Sequence, residues 1–322
     1  MQSNTDPATP LGAFLPLRVC IPTGLIIGCV FLQLLFGSGC KPSEAMPDPL
    51  RLRLASTAPN LTECIFAAGA GPLLVARTEC CDYPPEAQAL PITGGFGTPW
   101  LEPLLATHAT HLLETVLADP GMEQHLAELK INVVHVPCTR LGDIAKALRQ
   151  IGQLAESQAQ AEQCASVIES GLQAAQTELA QTTHRPRVLL LFAPDSPITA
   201  GSNAFVAELL ELAGGINLGS CETTPYYRIS LEWVLTQDPD LLICLFETTH
   251  NAPLHFFEQQ IGWKSLRAVQ AQRVYVPSDL NTISRPGPRV LDGLKQFKTI
   301  LARDAIRELA ASTPPVAPEA TP

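Results

Sequence analysis

Residues 101–113, LEPLLATHATHLL, are repeated in kind at residues 231–243, LEWVLTQDPDLLI. In this register Glu102 matches Glu232, and the apolar positions that follow the acid match as well. In each stretch a carboxylate stands at the predicted start of a helix, which leads into an apolar run typical of a buried strand. The sequence therefore predicts two related halves that present the same acid.

Length and composition indicate a globular chain of about two domains. Of its 322 residues, 46% are hydrophobic and only 16% are charged, which excludes a disordered chain. The formal net charge of −10 argues against nucleic-acid binding, because that function requires a basic surface. We therefore expect a folded protein with no nucleic-acid partner.

The first 40 residues are typical of a bacterial lipoprotein signal peptide rather than of the fold. Arg18 precedes an apolar run at residues 25–36, which is shorter than the about 20 residues that a membrane span requires. Small residues then lead to Cys40, where we predict cleavage and lipid attachment, followed by a linker at residues 41–50. The alternative is an uncleaved membrane anchor that starts near Val19. Either interpretation places the bulk of the chain outside the cytoplasm, in the periplasm.

The cysteines after Cys40 are odd in number, so at least one thiol is predicted to be free. Their spacing matches neither a zinc site nor a redox CxxC pair, and we expect most of them to be small buried residues. A bridge from Cys64 to Cys80 or Cys81 stays open as an alternative. These cysteines are Cys64, Cys80, Cys81, Cys138, Cys164, Cys221 and Cys244.

Short apolar runs alternate with helical patterns, which predicts an α/β fold of two Rossmann-like lobes with short parallel sheets. The N-terminal lobe covers residues 51–141 and the C-terminal lobe covers residues 185–311. The predicted strands are residues 52–55, 73–76, 111–113 and 133–136 in the first lobe, and residues 188–192, 241–245 and 274–276 in the second.

One long backbone helix is predicted to connect the lobes over residues 142–184. The sequence has no proline from Gly142 to about Gln181 and keeps apolar residues at helical spacing. A helix of about 40 residues would be about 60 Å long and would limit hinge motion between the lobes. Residues 312–322 are rich in Pro and Ala and are predicted to form a disordered tail.

Short motifs occur in a fixed order between residues 51 and 305. They are APNLTE at 58–63, CDYPPEA at 81–87, GGF at 94–96, GSNAF at 201–205, AGGIN at 213–217, SLE at 230–232, DPD at 238–240 and RPGPR at 285–289. In this order the motifs resemble the helical-backbone substrate-binding proteins of ABC importers, most closely the cobalamin-binding branch. The resemblance implies a type III periplasmic binding protein fold that holds cobalamin between its lobes, with ferric siderophore or haem as alternatives. It implies no catalysis.

The resemblance also implies a role for the repeated acids. In this family paired glutamates form salt bridges to arginines of two permease subunits, and Glu102 and Glu232 stand at the matching positions. The alternative is that each acid only complements a helix N-terminus, which is worth about 0.3–1 kcal/mol. An acid in the first turn of a helix is common, but the same acid is rarely repeated together with the apolar residues around it. The repeat therefore favours a role in docking to the permease. We expect a monomeric, lipid-anchored protein with an ABC permease as its partner.

A large, partly apolar ligand needs aromatic walls and a few fixed polar groups. Phe96 lies among glycines, which suits an exposed loop, and Arg285 offers a donor for ligand amides or carboxylates. Asn281 stands where cobalamin binders tend to have an acid, so the resemblance leaves the exact ligand open. The candidate ligand-binding residues are Tyr83, Phe96, Tyr226, Tyr227, Arg228, Asn281 and Arg285.

Histidines offer only weak candidates for metal binding. His108 and His111 lie at a predicted buried strand, where we expect a structural role. His250 and His255 follow the strand predicted at 241–245, where open α/β sheets place ligand contacts. An axial imidazole for haem iron or corrinoid cobalt is one interpretation, and a plain surface turn is the other.

Two other classes of function stay as more remote alternatives. An extracytoplasmic enzyme would use Cys80 or Cys81 with a histidine, but the sequence contains no GxSxG, phosphate-binding glycine loop or HExxH motif. A metal-ion receptor would need His, Asp and Glu ligands that converge from both lobes. The preferred interpretation is a binding protein that delivers a corrinoid to a permease and has no catalytic cofactor.

Overall fold

A computed structural model of the chain describes residues 51–246 and 253–312. The predicted signal peptide with Cys40, the linker, His250 and the tail beyond Ser312 lie outside the described residues. Within the two described ranges, no helix is both long and apolar enough to cross a membrane.

Strands and helices alternate along the described chain, as the sequence predicts. In the first half they are β1 (Leu54–Ser56), α1 (Pro59–Ala67), β2 (Leu74–Ala76), β3 (Gly94–Gly95), β4 (Thr98–Pro99), α2 (Leu101–Ala106), β5 (His111–Glu114), α3 (Met122–Glu128), β6 (Asn132–His135), α4 (Ile144–Leu154) and α5 (Gln158–Gln181). In the second half they are β7 (Arg187–Leu191), β8 (Ile198–Ala200), α6 (Phe205–Ala213), β9 (Ile216–Asn217), β10 (Tyr226–Arg228), α7 (Leu231–Gln237), β11 (Leu241–Cys244), α8 (Pro253–Gln259), α9 (Arg267–Gln270), β12 (Val274–Tyr275), α10 (Leu280–Ser284) and α11 (Val290–Ser312).

Each lobe is built on a four-stranded sheet in which all neighbouring strands are parallel. The strand order is β2-β1-β5-β6 in the N-terminal lobe and β12-β11-β7-β9 in the C-terminal lobe. The bounds of the predicted strands are confirmed to within two residues. Strand β11 is an example: all its residues are buried, so it appears in the sequence as an unbroken apolar run. In the N-terminal sheet, β2 and β5 are the neighbours of β1 on opposite sides, so the chain connections leave β1 and β5 in opposite directions. The carboxyl ends of β1 and β5 therefore border a crevice.

The repeated stretch has the same structure in both lobes. In the N-terminal lobe it forms α2 followed by β5, and in the C-terminal lobe it forms α7 followed by β11. Ser230 caps α7, since its hydroxyl accepts a hydrogen bond from the backbone N–H of Trp233 at 3.1 Å. The two halves predicted from the sequence thus occupy equivalent positions, one in each lobe.

The predicted long helix is present as α5, but it does not extend unbroken over residues 142–184, because the chain ends α4 at Leu154 and starts α5 at Gln158. Glu156 adopts a φ of 56° between the two helices, which helical backbone does not allow. Gly152 of α4 then packs against α5, where an added Cβ would lie 2.3 Å from Cβ of Ala161. The 24 residues of α5 span about 36 Å. A helical hairpin therefore connects the lobes.

One apolar core runs beneath both lobes. It joins buried side chains of α1, α4 and α5 to those of the C-terminal lobe without a gap. Leu61, Ile151, Leu209, Leu241 and Phe297 all belong to it, and all five are fully buried. Because interiors are close-packed, such a shared core restrains the motion of one lobe against the other.

The cysteines in the described ranges are all free thiols, so the predicted alternative of a bridge from Cys64 to Cys80 or Cys81 is not found. The Cys81 sulfur lies 3.1 Å from the Thr62 hydroxyl and 3.0 Å from the Thr78 hydroxyl instead. Cys64 and Cys81 are both buried, and Cys80 is exposed. Most described cysteines therefore behave as small buried or half-buried residues.

Candidate ligand-binding cleft

A cavity of about 420 Å³ lies between the two lobes. In the N-terminal lobe it is lined by Asn60 at the start of α1, Thr115 after β5 and Thr139 after β6. These positions are the carboxyl ends of parallel strands, where open α/β sheets place ligand contacts. The C-terminal lobe contributes the opposite wall, which includes Phe205 and Tyr226.

Hydrogen bonds to Pro286 of the C-terminal lobe join lining residues of the two lobes at this cavity. The Asn60 amide donates to the backbone oxygens of Cys138 at 3.1 Å and of Pro286 at 3.3 Å. The Cys138 thiol also donates to Pro286 O, at 3.0 Å. Asn60 is therefore a site residue that the sequence reasoning missed, since its partner Pro286 lies far away in the chain and leaves no local pattern.

Phe96 lies at the tip of the β3–β4 hairpin and lines the cavity with a ring that is 60% exposed. The hairpin tip rests on the N-terminal lobe, because Gly97 N donates to Thr57 O at 3.0 Å. Gly97 has a φ of 63°, and an added Cβ would lie 2.7 Å from the backbone oxygen of Val116. Only glycine fits this position without strain, so the glycine next to Phe96 holds the ring at the cleft.

Tyr226 faces the cavity from β10 in the C-terminal lobe. Its ring meets that of Phe192 edge to face, with 5.2 Å between the centroids. Burial raises the pKa of the Tyr226 hydroxyl, so this group is protonated at neutral pH. Phe96 and Tyr226 therefore give the cavity one aromatic wall from each lobe.

Arg285 is the one charged side chain among the described residues that line the cavity, and it is already paired. Its guanidinium donates to the Asp82 carboxylate at 2.5 Å, to Glu63 at 3.4 Å and to the backbone oxygen of Cys80 at 3.3 Å. Both acids belong to the N-terminal lobe. The positive charge in the cavity wall is therefore compensated from across the cleft.

A second arginine extends this pairing. Arg289 forms a two-pronged ion pair with Glu63, at 2.7 and 2.8 Å, and its guanidinium lies 4.0 Å from the centroid of the Tyr83 ring. Asp279 also contacts Arg289, at 3.3 Å. We name Glu63, Asp82, Asp279, Arg285 and Arg289 the interlobe charge cluster.

The predicted ligand-binding residues separate into three groups. Phe96, Tyr226 and Arg285 come together at the cavity, whereas Tyr83 and Asn281 contact the interlobe charge cluster, the latter through Asp82 at 3.2 Å. Tyr227 and Arg228 line a separate hollow of about 380 Å³. Neighbouring residues of a strand face opposite sides, so Tyr226 and Tyr227 of β10 are not expected to share one cavity.

A larger hollow of about 590 Å³ runs along α11, with the side chains of Lys295, Gln296 and Arg303 in its lining. It adjoins the interlobe charge cluster at Arg289 and Asp279 but includes no strand end of the N-terminal sheet. We take the smaller interlobe cavity as the candidate site, because it combines strand ends, two aromatic walls and polar groups from both lobes.

The described histidines make contacts that fit structural or surface positions. His111 hydrogen-bonds to the Thr110 hydroxyl at 2.9 Å and to Asn132 at 3.3 Å, and burial lowers its pKa. His108 is exposed, and its backbone oxygen accepts a hydrogen bond from Arg53. Exposed His255 lies in α8. Within residues 51–246 and 253–312, no group of three or more His, Cys, Asp or Glu residues is arranged to hold a metal ion.

Glu102 and Glu232 are both exposed in the first turns of α2 and α7. Hydrogen bonds from its own backbone N–H and from Ser230 lower the pKa of Glu232, which keeps this carboxylate ionised at neutral pH. One helical turn further on, Leu105 and Leu235 are 40% and 38% exposed. Each lobe thus presents the same pair, a carboxylate and an apolar side chain.

We expect the contact between Asp82 and Arg285 to weaken in acid. The hydrogen bond from Arg285 lowers the pKa of Asp82 below its unfolded value of about 3.9. The stability contributed by this carboxylate is therefore present above pH 4 and is lost as the pH falls through the folded pKa. Melting temperatures measured between pH 7 and pH 3 should fall less steeply for Asp82→Asn than for the wild type. Identical slopes would contradict this assignment.

Comparison with known proteins gives consistent matches. Residues 54–279 match the family model described as periplasmic binding protein. The vitamin B12-binding protein of Vibrio parahaemolyticus is 27% identical over 270 residues, which cover 83% of this chain and 93% of that protein. The crystal structure of the periplasmic vitamin B12 binding protein BtuF of Vibrio cholerae matches with a TM-score of 0.67 and 25% identity, over 79% of this chain and 97% of that one. The apo form of the periplasmic heme-binding protein RhuT from Roseiflexus sp. RS-1 matches with a TM-score of 0.70 and 23% identity, over 79% and 99%, which is a likeness of fold.

Proposed function

Since the chain belongs to the periplasmic binding protein family, we propose that it captures vitamin B12 or a related corrinoid between its two lobes. The family consists of extracytoplasmic substrate-binding proteins of ABC importers and not of enzymes. A small-molecule ligand and a membrane permease are therefore its partners. The choice of a corrinoid is supported by the relatives whose names specify vitamin B12.

One observation in the cleft carries this choice of ligand. The cavity has aromatic walls and polar uncharged side chains, and the charge of Arg285 is compensated by Glu63 and Asp82. A corrinoid presents an apolar macrocycle edged by neutral amides. Aromatic surface suits the macrocycle, and the hydroxyls of Thr115 and Thr139 suit the amides.

The same observation disfavours haem and the negatively charged ferric siderophores. Haem carries two carboxylates and a ferric tris-catecholate siderophore carries a net negative charge, and both are bound best by an unpaired cation.

Calorimetric titration tests the proposed ligand directly. A soluble chain that begins after Cys40 would be titrated with cyanocobalamin, haemin and a ferric catecholate siderophore in parallel. We expect one-to-one binding of cyanocobalamin and at least about tenfold weaker binding of the other two. Tighter binding of haemin or the siderophore would replace the corrinoid, and binding of none would overturn the proposal.

The aromatic walls give a second test. Phe96→Ala and Tyr226→Ala are each expected to weaken cyanocobalamin binding about tenfold, which corresponds to about 1.4 kcal/mol of lost aromatic contact. Tyr226→Phe is the matched control, since it keeps the ring and should keep the affinity. If Tyr226→Phe loses as much affinity as Tyr226→Ala, the hydroxyl rather than the ring contacts the ligand.

Two further features complete the proposed function. We propose that Glu102 and Glu232 dock the loaded protein onto two permease subunits, which the equivalent positions and matching exposure of the two acids support. We also propose that Cys40 carries the lipid anchor. Mass spectrometry of the chain recovered from membranes tests the anchor, because a diacylated N-terminus has a defined mass.

A further inference from the structure

Glu63 is a buried carboxylate that holds two arginines of the opposite lobe. It lies on α1, and its side chain is only 1% exposed. One carboxylate oxygen accepts hydrogen bonds from Arg289 at 2.7 Å and from Arg285 at 3.4 Å, and the other accepts from Arg289 at 2.8 Å. Both guanidinium groups are themselves mostly buried, at 14% and 17% exposure. Glu63 is thus the one buried acid of the interlobe charge cluster, and it contacts both arginines, which Asp82 and Asp279 contact from the solvent side.

The backbone between the two arginines explains how one acid reaches both. Arg285 and Arg289 flank the segment Pro-Gly-Pro, and Gly287 lies directly against α1. An added Cβ at Gly287 would be 3.7 Å from Asn60 Cβ and 3.7 Å from a carboxylate oxygen of Glu63. The segment therefore lies within van der Waals distance of α1, and the arginine at each of its ends contacts the Glu63 carboxylate.

The compensation matters for the ligand because Arg285 lines the cavity. Asp82 covers the same guanidinium at 2.5 Å, but the Asp82 side chain is 49% exposed, so solvent screens its charge. The Glu63 carboxylate is shielded from solvent and acts on both arginines at once. Removal of its charge would leave the two arginines only Asp82 and Asp279, both about half exposed, and would therefore raise the positive potential at the edge of the cavity.

We propose that Glu63 is a positioning residue that determines ligand specificity: by neutralising Arg285 and Arg289 it makes the cleft select a neutral ligand and reject anionic ones. This inference rests on the proposed function, since it explains how the same cleft favours a corrinoid over a carboxylate-bearing tetrapyrrole. Glu63 does not line the cavity and acts through Arg285.

The test compares the affinities for an anionic ligand, haemin, and a neutral ligand, cyanocobalamin, in the wild type and in a variant of Glu63. In Glu63→Gln the carboxylate becomes a neutral amide of the same size, and the affinity for haemin relative to cyanocobalamin is expected to rise about tenfold or more. A purely structural role would weaken both ligands alike. An unchanged affinity ratio in the folded variant would therefore overturn the proposal.

Two matched variants separate this effect from its alternatives. Glu123→Gln removes one negative charge from exposed α3 and should leave the ratio unchanged. Adding Arg285→Gln to Glu63→Gln should cancel most of the gain, because the unmasked cation is then gone. A gain of equal size in Glu123→Gln, or a full gain in the double variant, would contradict the proposed route through Arg285.

The proposal can still be tested if Glu63→Gln does not fold, or if the natural ligand is not a corrinoid. If Glu63→Gln does not fold, Asp82→Asn carries the test with a smaller rise in relative haemin affinity, since it exposes the same guanidinium from the solvent side. If the wild type binds no cyanocobalamin, the proposed function fails. In that case the haemin affinity of Glu63→Gln relative to wild type still decides whether Glu63 masks Arg285.

Discussion

Replacement of both Glu102 and Glu232 by alanine is expected to abolish uptake of the ligand while leaving its affinity for the protein unchanged. The two acids lie on exposed first turns outside the lining of the cavity, so their loss removes contacts with the permease and none with the ligand. Uptake of labelled cyanocobalamin by cells that carry the variant measures the first quantity, and calorimetry of the purified protein measures the second.

The matched control replaces two exposed helical acids that lie elsewhere, Glu123 of α3 and Glu258 of α8, and should preserve uptake. Both acids are exposed at the surface, where the loss of a favourable interaction with a helix N-terminus costs little, so the double variant should still fold. Uptake at the wild-type rate would contradict the docking role. Loss of ligand affinity would show instead that the acids serve the cleft.

Glu63→Ala is expected to lower the free energy of unfolding by about 3–5 kcal/mol, because it removes the buried partner of two mostly buried guanidinium groups and leaves them only the half-exposed Asp82 and Asp279. Urea unfolding followed by circular dichroism measures this loss. Asp82→Ala is the comparison, since the Asp82 side chain is about half exposed and its removal should cost about 1 kcal/mol or less. Similar losses of unfolding free energy in the two variants would show that burial does not increase the contribution of Glu63 to stability.

The architecture could be predicted from the sequence because its signals are local. The strands appear as apolar runs, and the repeated stretch at 101–113 and 231–243 identifies equivalent elements of the two lobes. The two-residue and three-residue strands β3, β4, β8, β9 and β10 were missed because such short segments show no periodicity. The break at Glu156 was missed for a related reason, since neither proline nor glycine marks it.

The site was predicted less well than the fold, because its contacts join distant parts of the chain. Phe96 could be placed on an exposed loop from its flanking glycines, and Arg285 could be chosen from its motif. No local pattern reveals that Glu63 meets Arg289, or that Asn60 meets Pro286. The separation of Tyr226 from Tyr227 would have followed from strand alternation, had β10 been recognised.

The apolar core that runs beneath both lobes has a consequence for folding. Each half repeats the structure of the other and closes a smaller apolar cluster of its own, but Leu61 and Ile151 share the largest cluster with Leu209 and Phe297. An isolated half would expose this shared surface to water and lack the contacts that order it. The internal repeat is therefore a unit of architecture, and we expect an isolated half to be less stable than the same half within the whole chain.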